Sequence, residues 1–433
     1  MGNFTEQQLS KNGLYELFSA YFHNELNWDV FYATLPKETV FQNMRESLKA
    51  EDYLLTEGTS QTLIKNPQST SPYAFKNIIM ITVESLSANF LGVFGNPNNL
   101  TPELDALAKK SLLFKNIYAT GTRTVRGLEA LSLSIPPTPG SSIVRRHQNK
   151  DLMSIGKLLS SSGFEAKFIY GGKALFDNMK YYFENNHYQV IDRDYFTKQE
   201  VSFETVWGVC DGDLFKKALS EADKSYQNKK PFFSMVMTTS NHRPFTYPSN
   251  LIDIPSGKSR EGAVKYTDYT IGEFIKNAQS KPWFKDTLFV VVADHTSEGR
   301  GKLDIPVETY NIPLLIYSPQ ITPKVIETVA SQIDTIPTIL SLLGNSKPNM
   351  FFGRNILTTP EKEQRFFVGT YQKVGFYKNG FFVSLGPKRE IQTYFYDPIK
   401  KVLGEKTHNK QIEDEAISYY QYAYSLYKNN LYK

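Results

Sequence analysis

The chain has 433 residues, a formal net charge of +5 and one cysteine, Cys210. Its length suits one large α/β domain with additions, or two to three ordinary domains. A single cysteine excludes a scaffold held together by internal disulfides. The small, dispersed positive charge argues against nucleic acid as a partner and favours anionic ligands such as phosphate esters or lipid headgroups. The longest apolar runs are too short to cross a bilayer.

The first predicted region, residues 1–72, is polar and prone to form helices. Residues 57–73, which extend one residue past the end of this region, are rich in Ser, Thr, Asn and Pro. This composition predicts a linker. Apolar residues at helical spacing predict one apolar helix face, which we expect to pack on the rest of the chain rather than lie at a membrane surface. These residues are Leu14, Phe18, Tyr21 and Phe22.

The second predicted region, residues 73–350, alternates short β-branched runs with helical patterns. This alternation predicts an α/β fold in which helices sandwich a mostly parallel central sheet. The predicted strands are residues 77–83, 166–170, 232–238, 288–293 and 312–318. The predicted helices are residues 101–114, 124–134, 267–279 and 334–345, with Thr101 and Asp334 as caps.

The third predicted region, residues 351–433, has an antiparallel pattern. Asn379-Gly380 lies between two alternating aromatic runs, which is the strongest short signal for a hairpin. The segment "YFYDP" adds a further strand, and the tyrosine-rich end of the chain predicts an amphipathic helix. We therefore expect a small antiparallel C-terminal subdomain that ends in a helix.

Polar side chains follow four of the predicted strands. In open α/β sheets, ligands gather beyond the carboxyl ends of the strands, so these side chains are candidates for one shared site. They are Glu84 after residues 77–83, Asp177 and Asn178 beyond residues 166–170, His242 after residues 232–238, and Asp294 with His295 after residues 288–293.

Glu84, Asp294 and His295 offer two carboxylates and an imidazole, a mixed set suited to Zn²⁺ or Mn²⁺. Taken singly, each residue has a simpler explanation: Glu84 as a helix cap, Asp294 as the start of a turn and His295 as an exposed side chain. Their position after the two most hydrophobic strands favours a joint role in holding a metal.

The segment "GTRTVRGLEAL" places Thr124 where a helix is about to begin. A helix N-terminus attracts anions, and coordination by a metal turns a weakly nucleophilic hydroxyl into a stronger nucleophile. An ordinary N-cap is the simpler explanation for this threonine taken alone. Thr120 and Thr122 compete with it for a catalytic role.

Taken together, these segments resemble the alkaline-phosphatase-like sulfatase superfamily, and within it the lipoteichoic acid synthases and periplasmic phosphoglycerol transferases. The resemblance covers about residues 75–360. Its segments are "NIIMITVESLSANFLGVFG", "GTRTVRGLEAL", "YGGKALFDNM", "WGVCDGDLF", "TTSNHRPFTYP", "VVVADHTSEGRGK", "NIPLLIYSP" and "SQIDTIPTILSLLG".

The resemblance implies roles for particular residues of this chain. Thr124 matches the nucleophile of the family, and one divalent metal is implied, with Mn²⁺ favoured over Mg²⁺ or Zn²⁺. The implied metal ligands are Glu84, Thr124, Asp294 and His295. The implied substrate-binding residues are His242 at the phosphate headgroup, Asp177 and Asn178 in the pocket, and Arg123 and Arg126 near the phosphoryl oxygens.

The resemblance also implies the reaction. We expect transfer of a glycerophosphate headgroup from phosphatidylglycerol, through a phosphothreonine, to a hydroxyl of a glycan or polymer. The expected place is a membrane surface outside the cytoplasm, in the soluble part of a membrane-anchored protein. The segment Arg123-Thr124-Val125 differs from the Lys-Thr-Ser type of lipoteichoic acid synthases, which favours the wider phosphoglycerol transferase group. Lys173 stands where relatives often carry an acidic residue.

Alternative functions remain open on the sequence. A sulfate ester is disfavoured as substrate, since Cys210 does not lie in the C/S-x-P-x-R motif that sulfatases convert to formylglycine. Phosphoethanolamine transfer uses the same threonine chemistry, but such enzymes usually carry several disulfides. A phosphodiesterase of the same superfamily, or a non-catalytic domain that binds an anionic glycan or lipid, are further alternatives.

Overall fold

The computed structural model describes residues 26–68, 71–298 and 304–433 of the chain, so the predicted helix face from Leu14 to Phe22 lies outside the described residues. The strands are β1 Tyr53–Glu57, β2 Leu63–Pro67, β3 Asn77–Val83, β4 Leu112–Tyr118, β5 Glu165–Tyr170, β6 Gln189–Ile191, β7 Glu204–Thr205, β8 Gly208–Val209, β9 Phe232–Met237, β10 Thr287–Ala293, β11 Asn311–Tyr317, β12 Lys324–Ser331, β13 Arg365–Gly369, β14 Val374–Lys378, β15 Phe381–Gly386, β16 Glu390–Asp397 and β17 Val402–Thr407. The helices are α1 Trp28–Phe31, α2 Lys37–Ser47, α3 Pro102–Ala108, α4 Thr124–Leu133, α5 Ile155–Ser160, α6 Met179–Glu184, α7 Asp211–Gln227, α8 Arg260–Ala278, α9 Thr335–Leu343 and α10 Lys410–Lys428.

The central sheet has eight strands in the order β12-β4-β11-β10-β3-β9-β5-β6. Within it only β11 runs antiparallel to its neighbours, β4 and β10, and the other pairs are parallel. Every residue of β3, β9, β10 and β11 is buried, because the sheet is covered on both faces. The predicted α/β fold with a mostly parallel central sheet is confirmed.

The predicted helix over residues 101–114 is too long. Helix α3 ends at Ala108, and Leu112–Tyr118 forms strand β4 between β11 and β12. Six of the seven residues of β4 are buried, so pairing on both sides overrides the helical pattern. Thr101 occupies the N-cap position of α3, but its side chain makes no capping bond there.

The C-terminal sheet is an antiparallel meander, β13-β14-β15-β16-β17. Asn379 and Gly380 form its predicted tight turn, with φ angles of 51° and 82°. The tyrosine-rich segment is helix α10, which packs on this sheet through a hydrogen bond from Tyr420 OH to the Gly375 carbonyl at 2.5 Å. Most of α10 is buried because α2 covers its other side, as shown by the 2.9 Å bond from Asn43 Nδ2 to Ser418 Oγ.

The predicted linker over residues 57–73 is wrong in its first half. Strands β1 and β2 form an antiparallel hairpin there, and Lys65 exchanges two backbone hydrogen bonds with Asn349, at 2.8 and 3.0 Å. This pairing ties the N-terminal region to the segment before β13. The predicted boundaries at residues 72 and 350 stay predictions. None of the described helices is long and apolar enough to cross a bilayer.

A buried ion pair joins the central sheet to the C-terminal sheet. Arg365 of β13 donates from its two terminal nitrogens to the Asp334 carboxylate at 2.9 and 3.0 Å, and both side chains are buried. Asp334 also accepts from the backbone N–H groups of Ser331 and Arg354, at 2.8 and 2.7 Å. One carboxylate therefore links the end of β12, the segment at Arg354 and strand β13, although it makes no capping bond to α9.

We expect Asp334→Asn to lower the free energy of unfolding by about 3–5 kcal/mol, because it leaves the Arg365 cation buried without its counter-charge. Equilibrium urea denaturation checks this. The control is Asp286→Asn, which breaks the exposed pair with Lys76 (2.8 Å) and should change stability little. Equal effects of the two substitutions would contradict a structural role for the buried pair.

Candidate active site

Glu84 directly follows β3 and lies at the centre of the site. Its side chain is buried. Its backbone N–H donates to Thr238 Oγ1 at 2.9 Å, just beyond the end of the neighbouring strand β9. Asn241 Nδ2 donates to the Glu84 carbonyl oxygen at 2.9 Å, and Ser85 Oγ donates to Glu84 Oε1 at 2.6 Å. The backbone and one carboxylate oxygen of Glu84 are thus fixed by neighbouring strand ends.

Asp294 directly follows β10, which pairs with β3 in parallel. Its Oδ1 accepts from the backbone N–H groups of Ser85 and His295, at 2.8 and 2.6 Å. Its Oδ2 is buried and has no hydrogen-bond donor in the described part of the chain. Because a buried carboxylate oxygen without a partner is costly, this atom indicates a ligand beside it.

His295 completes the cluster. Its Nδ1 lies 2.8 Å from the Thr296 carbonyl oxygen, so Nδ1 carries the proton and donates it to that carbonyl. Its Nε2 lies 3.5 Å from Glu84 Oε1 and 3.4 Å from Asp294 Oδ2. One ligand atom from each of Glu84, Asp294 and His295 lies within 4.8 Å of the others. This donor set and spacing fit a single divalent metal ion.

The electrostatics of the cluster reflect two carboxylates enclosed together. Burial and the charge of Glu84 raise the pKa of Asp294 to about 7. Burial alone would raise the pKa of Glu84, but hydrogen bonds from His242 and His295 hold that pKa well below its usual range. Burial would lower the pKa of His295, yet Asp294 and Glu84 raise it to about 9. The cluster therefore attracts positive charge, as a cation site does.

Thr124 is the first residue of α4, and its hydroxyl contacts this cluster. Its Oγ1 donates to Glu84 Oε2 at 3.0 Å. The N-cap position belongs to Arg123, whose extended backbone has φ −140° and ψ 142°. Thr120 is occupied elsewhere, since its hydroxyl bonds with the Arg126 carbonyl and Gln332 Oε1, both at 3.2 Å. Of the competing threonines, Thr124 is the one bonded to the cluster.

Two residues that the sequence analysis gave no role hold α4 against the end of β10. A Cβ atom on Gly127 would lie 2.1 Å from the Asp294 carbonyl oxygen, so only glycine allows this close approach. Gln332 Nε2 donates to the carbonyls of Ala293 and Asp294, each at 2.8 Å. Its Oε1 accepts from the Thr120 N–H at 3.1 Å, which links the two strand ends.

His242 and Trp207 border the cluster on the β9 side. His242 Nε2 lies 3.3 Å from Glu84 Oε2. The Trp207 ring stacks on the His242 ring, with centroids 4.2 Å apart and planes 15° apart. Trp207 Nε1 also donates to the Arg243 carbonyl at 2.5 Å. The tryptophan thus orients the imidazole. In the sequence, the segment "WGVC" was the only pattern that could have indicated a role for Trp207.

A cavity of about 600 Å³ opens over the cluster. Three arginines line it, which makes it suited to an anionic group. Arg260 Nη1 is buried and has no hydrogen-bond partner among the described residues, although the guanidinium lies 4.9 Å from the Phe245 ring. The lining side chains include Glu84, Thr122, Arg123, Thr124, Tyr170, Asp177, Trp207, His242, Arg243, Arg260 and His295.

Two sequence-based expectations need correction. Arg126 is buried away from the cavity, where it pairs with Glu129 at 3.0 Å and donates to the Thr138 and Gly140 carbonyls at 2.8 and 2.5 Å. Asn178 does not line the cavity, and its Nδ2 donates to the Val144 carbonyl at 2.9 Å. Both side chains donate hydrogen bonds to backbone carbonyls of neighbouring loops and so stabilise those loops.

Asp177 and Arg123 do line the cavity, as does His242. Asp177 forms an ion pair with Arg145 at 3.5 Å, so its charge is partly balanced from outside the cavity. Arg243 and Arg260 were not singled out from the sequence. Arg243 was visible beside His242 in "NHRPF", whereas Arg260 lies at the start of α8 and carries no local signal.

The sulfatase family profile matches residues 76–345. The chain belongs to the sulfatase family. A solved structure of a protein in the alkaline phosphatase superfamily from Vibrio parahaemolyticus is 33% identical, with a TM-score of 0.86 over 93% of this chain and 98% of that one. The lipoteichoic acid synthase LtaP from Listeria monocytogenes has a TM-score of 0.70 at 21% identity, over 90% of this chain and 98% of that one, which shows the same fold.

Two curated relatives match more distantly. Lipoteichoic acid synthase 2 of Bacillus subtilis is 25% identical over 74% of this chain and 52% of its own length. Phosphoglycerol transferase I of Salmonella agona is 28% identical over 53% of this chain and 32% of its own length. The chain therefore spans about half or less of the length of these relatives.

We expect Gly127→Ala to weaken binding of Mn²⁺ about tenfold or more, because the added methyl group forces the first turn of α4 away from Asp294. Isothermal titration calorimetry with Mn²⁺ alone measures this. The matched control is Gly212→Ala in the first turn of α7, where the nearest atom to the new Cβ is the Tyr266 hydroxyl at 3.2 Å. Unchanged Mn²⁺ affinity in Gly127→Ala would contradict this account.

Proposed function

We propose that this sulfatase-family chain is the catalytic domain of a metal-dependent phosphoglycerol transferase with Thr124 as its nucleophile. The observation that carries the proposal is the 3.0 Å contact between Thr124 Oγ1 and Glu84 Oε2, at the edge of the Glu84, Asp294 and His295 cluster. The names of the two curated relatives, a lipoteichoic acid synthase and a phosphoglycerol transferase, support the choice of substrate class.

Glu84, Asp294 and His295 would hold the metal, with Thr124 Oγ1 as a further ligand. Asp294 Oδ2, which has no hydrogen-bond donor among the described residues, lies 3.4 Å from His295 Nε2, the ring nitrogen that does not bond to the Thr296 carbonyl, and both atoms would be ligands. We propose Mn²⁺, with Mg²⁺ or Zn²⁺ as alternatives. When bound, such an ion lowers the pKa of a coordinated hydroxyl and offsets negative charge on phosphoryl oxygens.

In the first proposed step, Thr124 Oγ1 attacks the phosphorus of phosphatidylglycerol. The Oγ1–phosphorus bond forms, and the bond from phosphorus to the diacylglycerol oxygen breaks. The hydroxyl proton of Thr124 already points to Glu84 Oε2, so Glu84 is its first acceptor. His242, which lines the cavity, donates a proton to the departing diacylglycerol oxygen.

In the second proposed step, a hydroxyl of a glycan or polymer attacks the phosphothreonine. The new oxygen–phosphorus bond forms, the bond from phosphorus to Thr124 Oγ1 breaks, and that oxygen recovers its proton from Glu84. His242 takes the proton of the incoming hydroxyl. Trp207, stacked on its ring, keeps the imidazole oriented through both steps.

The headgroup is proposed to lie against the cavity arginines. Arg260 has a buried terminal nitrogen with no partner in the described segments, so a phosphate oxygen would supply the missing acceptor. Arg123 and Arg243 add positive charge on the same wall, and Asp177 offers an acceptor for a glycerol hydroxyl. We place this reaction at a membrane surface outside the cytoplasm, in the soluble part of a membrane-anchored protein.

We expect Thr124→Ala to abolish turnover of phosphatidylglycerol, a loss of several orders of magnitude, because alanine lacks the hydroxyl that we propose attacks the phosphorus. Release of diacylglycerol measures turnover, and circular dichroism checks that the variant is folded. Mass spectrometry of the parent should find the adduct on Thr124. An adduct that carries ethanolamine would favour phosphoethanolamine transfer. Release of glycerol phosphate to water would favour a hydrolase. Turnover retained by Thr124→Ala would remove Thr124 from the mechanism.

We expect Arg260→Gln to raise KM for phosphatidylglycerol about tenfold or more with a smaller change in kcat, because it removes a charged contact to the headgroup. Steady-state kinetics at fixed Mn²⁺ check this. Arg45→Gln is the control, since Arg45 is already paired with Glu57 at 3.0 Å and does not line the catalytic cavity. A kcat loss without a KM change would contradict a role in headgroup binding.

A further inference from the structure

Three exposed apolar side chains lie beside the catalytic cavity or on the segments next to it. Leu175 is 75% exposed, Phe176 54% and Val206 92%. We call these three residues the apolar rim. Phe176 lines both the catalytic cavity and a neighbouring groove of about 690 Å³, and Val206 lines that groove. Large apolar side chains this exposed next to a substrate cavity indicate a surface that another apolar body covers.

The rim is built on two segments that bond to each other. Val206 and Trp207 form the two-residue connection between β7 and β8, where glycine, asparagine or aspartate is usual. The Val209 N–H donates to the Gly171 carbonyl at 3.0 Å, which joins this hairpin to the segment after β5. The rings of Phe176 and Trp207 meet edge to face, with centroids 6.0 Å apart. The rim is therefore attached to the side of the cavity that contains Trp207.

Cations accompany the rim. Lys173 and Arg243 are both exposed and have no ion-pair partner among the residues that the structure describes. Lys173 lines the groove with Val206, and Arg243 lines the cavity with Phe176. The exposed Asp194 also lines the groove and offsets one of these two positive charges. Apolar side chains flanked by unpaired cations are the pattern of a surface that enters the headgroup region of an anionic membrane.

We propose that the apolar rim inserts into the surface of an anionic phospholipid bilayer and thereby presents the cavity mouth to its lipid substrate. This inference rests on the proposed function, in which a diacylglycerol must enter and leave by that mouth. A rim of apolar side chains beside Trp207 gives the acyl chains continuous apolar surface from the bilayer to the cavity. Lys173 and Arg243 meet the anionic headgroups around it.

The charges favour a bilayer over a second copy of this chain. Two copies that met through this face would bury the positive charges of Lys173 and Arg243, which the exposed Asp194 of the groove offsets only in part. An anionic lipid surface neutralises those cations and accepts Leu175 and Val206 at the same time. The apolar rim has only three side chains, and Val206 lies in the tight connection of a hairpin, which suits shallow insertion.

The test compares the parent with the double variant Leu175→Ser/Val206→Ser, which we call the rim variant. Neither Leu175 nor Val206 lines the catalytic cavity. Binding to vesicles of equal parts phosphatidylglycerol and phosphatidylcholine is measured by co-sedimentation, with phosphatidylcholine vesicles alone as the uncharged arm. The matched control is Leu54→Ser/Val402→Ser, which changes a leucine 60% exposed and a valine 56% exposed on other sheets. Turnover is measured on the same vesicles and on water-soluble dibutanoyl phosphatidylglycerol, and light scattering gives the oligomeric state.

We expect the rim variant to bind the anionic vesicles about tenfold more weakly than the parent and the control, with a matching loss of vesicle turnover and unchanged turnover of the soluble lipid. Equal vesicle binding by the rim variant and the control would overturn the inference. Loss of a parent dimer in the rim variant, without a change in vesicle binding, would assign the rim to a second copy instead. Normal rim-dependent vesicle binding without turnover of either lipid would support the inference while refuting the proposed function.

Discussion

The close approach of helix α4 to the end of strand β10 is the constraint on which the site depends. A side chain at position 127 would collide with the Asp294 carbonyl oxygen, so glycine there sets the distance between helix and strand. That distance in turn places Thr124 Oγ1 3.0 Å from Glu84 Oε2. Gln332 fixes the same strand end from the other side. Gly127 and Gln332 thus determine whether the Thr124 hydroxyl, which we propose as the nucleophile, reaches the cluster.

Much of this arrangement could be predicted from the sequence because parallel strands order their carboxyl ends. Strands β10, β3, β9 and β5 are consecutive neighbours in the sheet, so the polar residues that follow them share one edge. Glu84, Asp294, His295 and His242 were predictable on that ground alone. The bond between Thr124 and Glu84 was an expectation from resemblance, since nothing in the spacing of two residues 40 positions apart gives their distance.

The wrong sequence-based predictions also have physical causes, which lie in tertiary contacts rather than in local pattern. Arg123 and Arg126 are three residues apart, but Arg123 has an extended backbone, so helical phase does not relate the two side chains. Arg126 is instead drawn to Glu129, one turn along the helix. The residues of β4 continue the helical pattern of α3 and form a strand only because two neighbouring strands pair with them. Arg260 reaches the cavity through tertiary packing, which no local pattern encodes.

Local rules are broken most clearly around the cavity. Ser85 adopts a left-handed backbone with φ 51°, usually reserved for glycine, because there its N–H reaches Asp294 while its hydroxyl reaches Glu84. Asp294 Oδ2 is buried without a donor among the residues that the structure describes, and Val206 is exposed at a tight turn. A fold selected for stability alone would remove each of these features. Their position around one cavity is what the proposed site for a cation, a phosphate ester and a lipid surface would require.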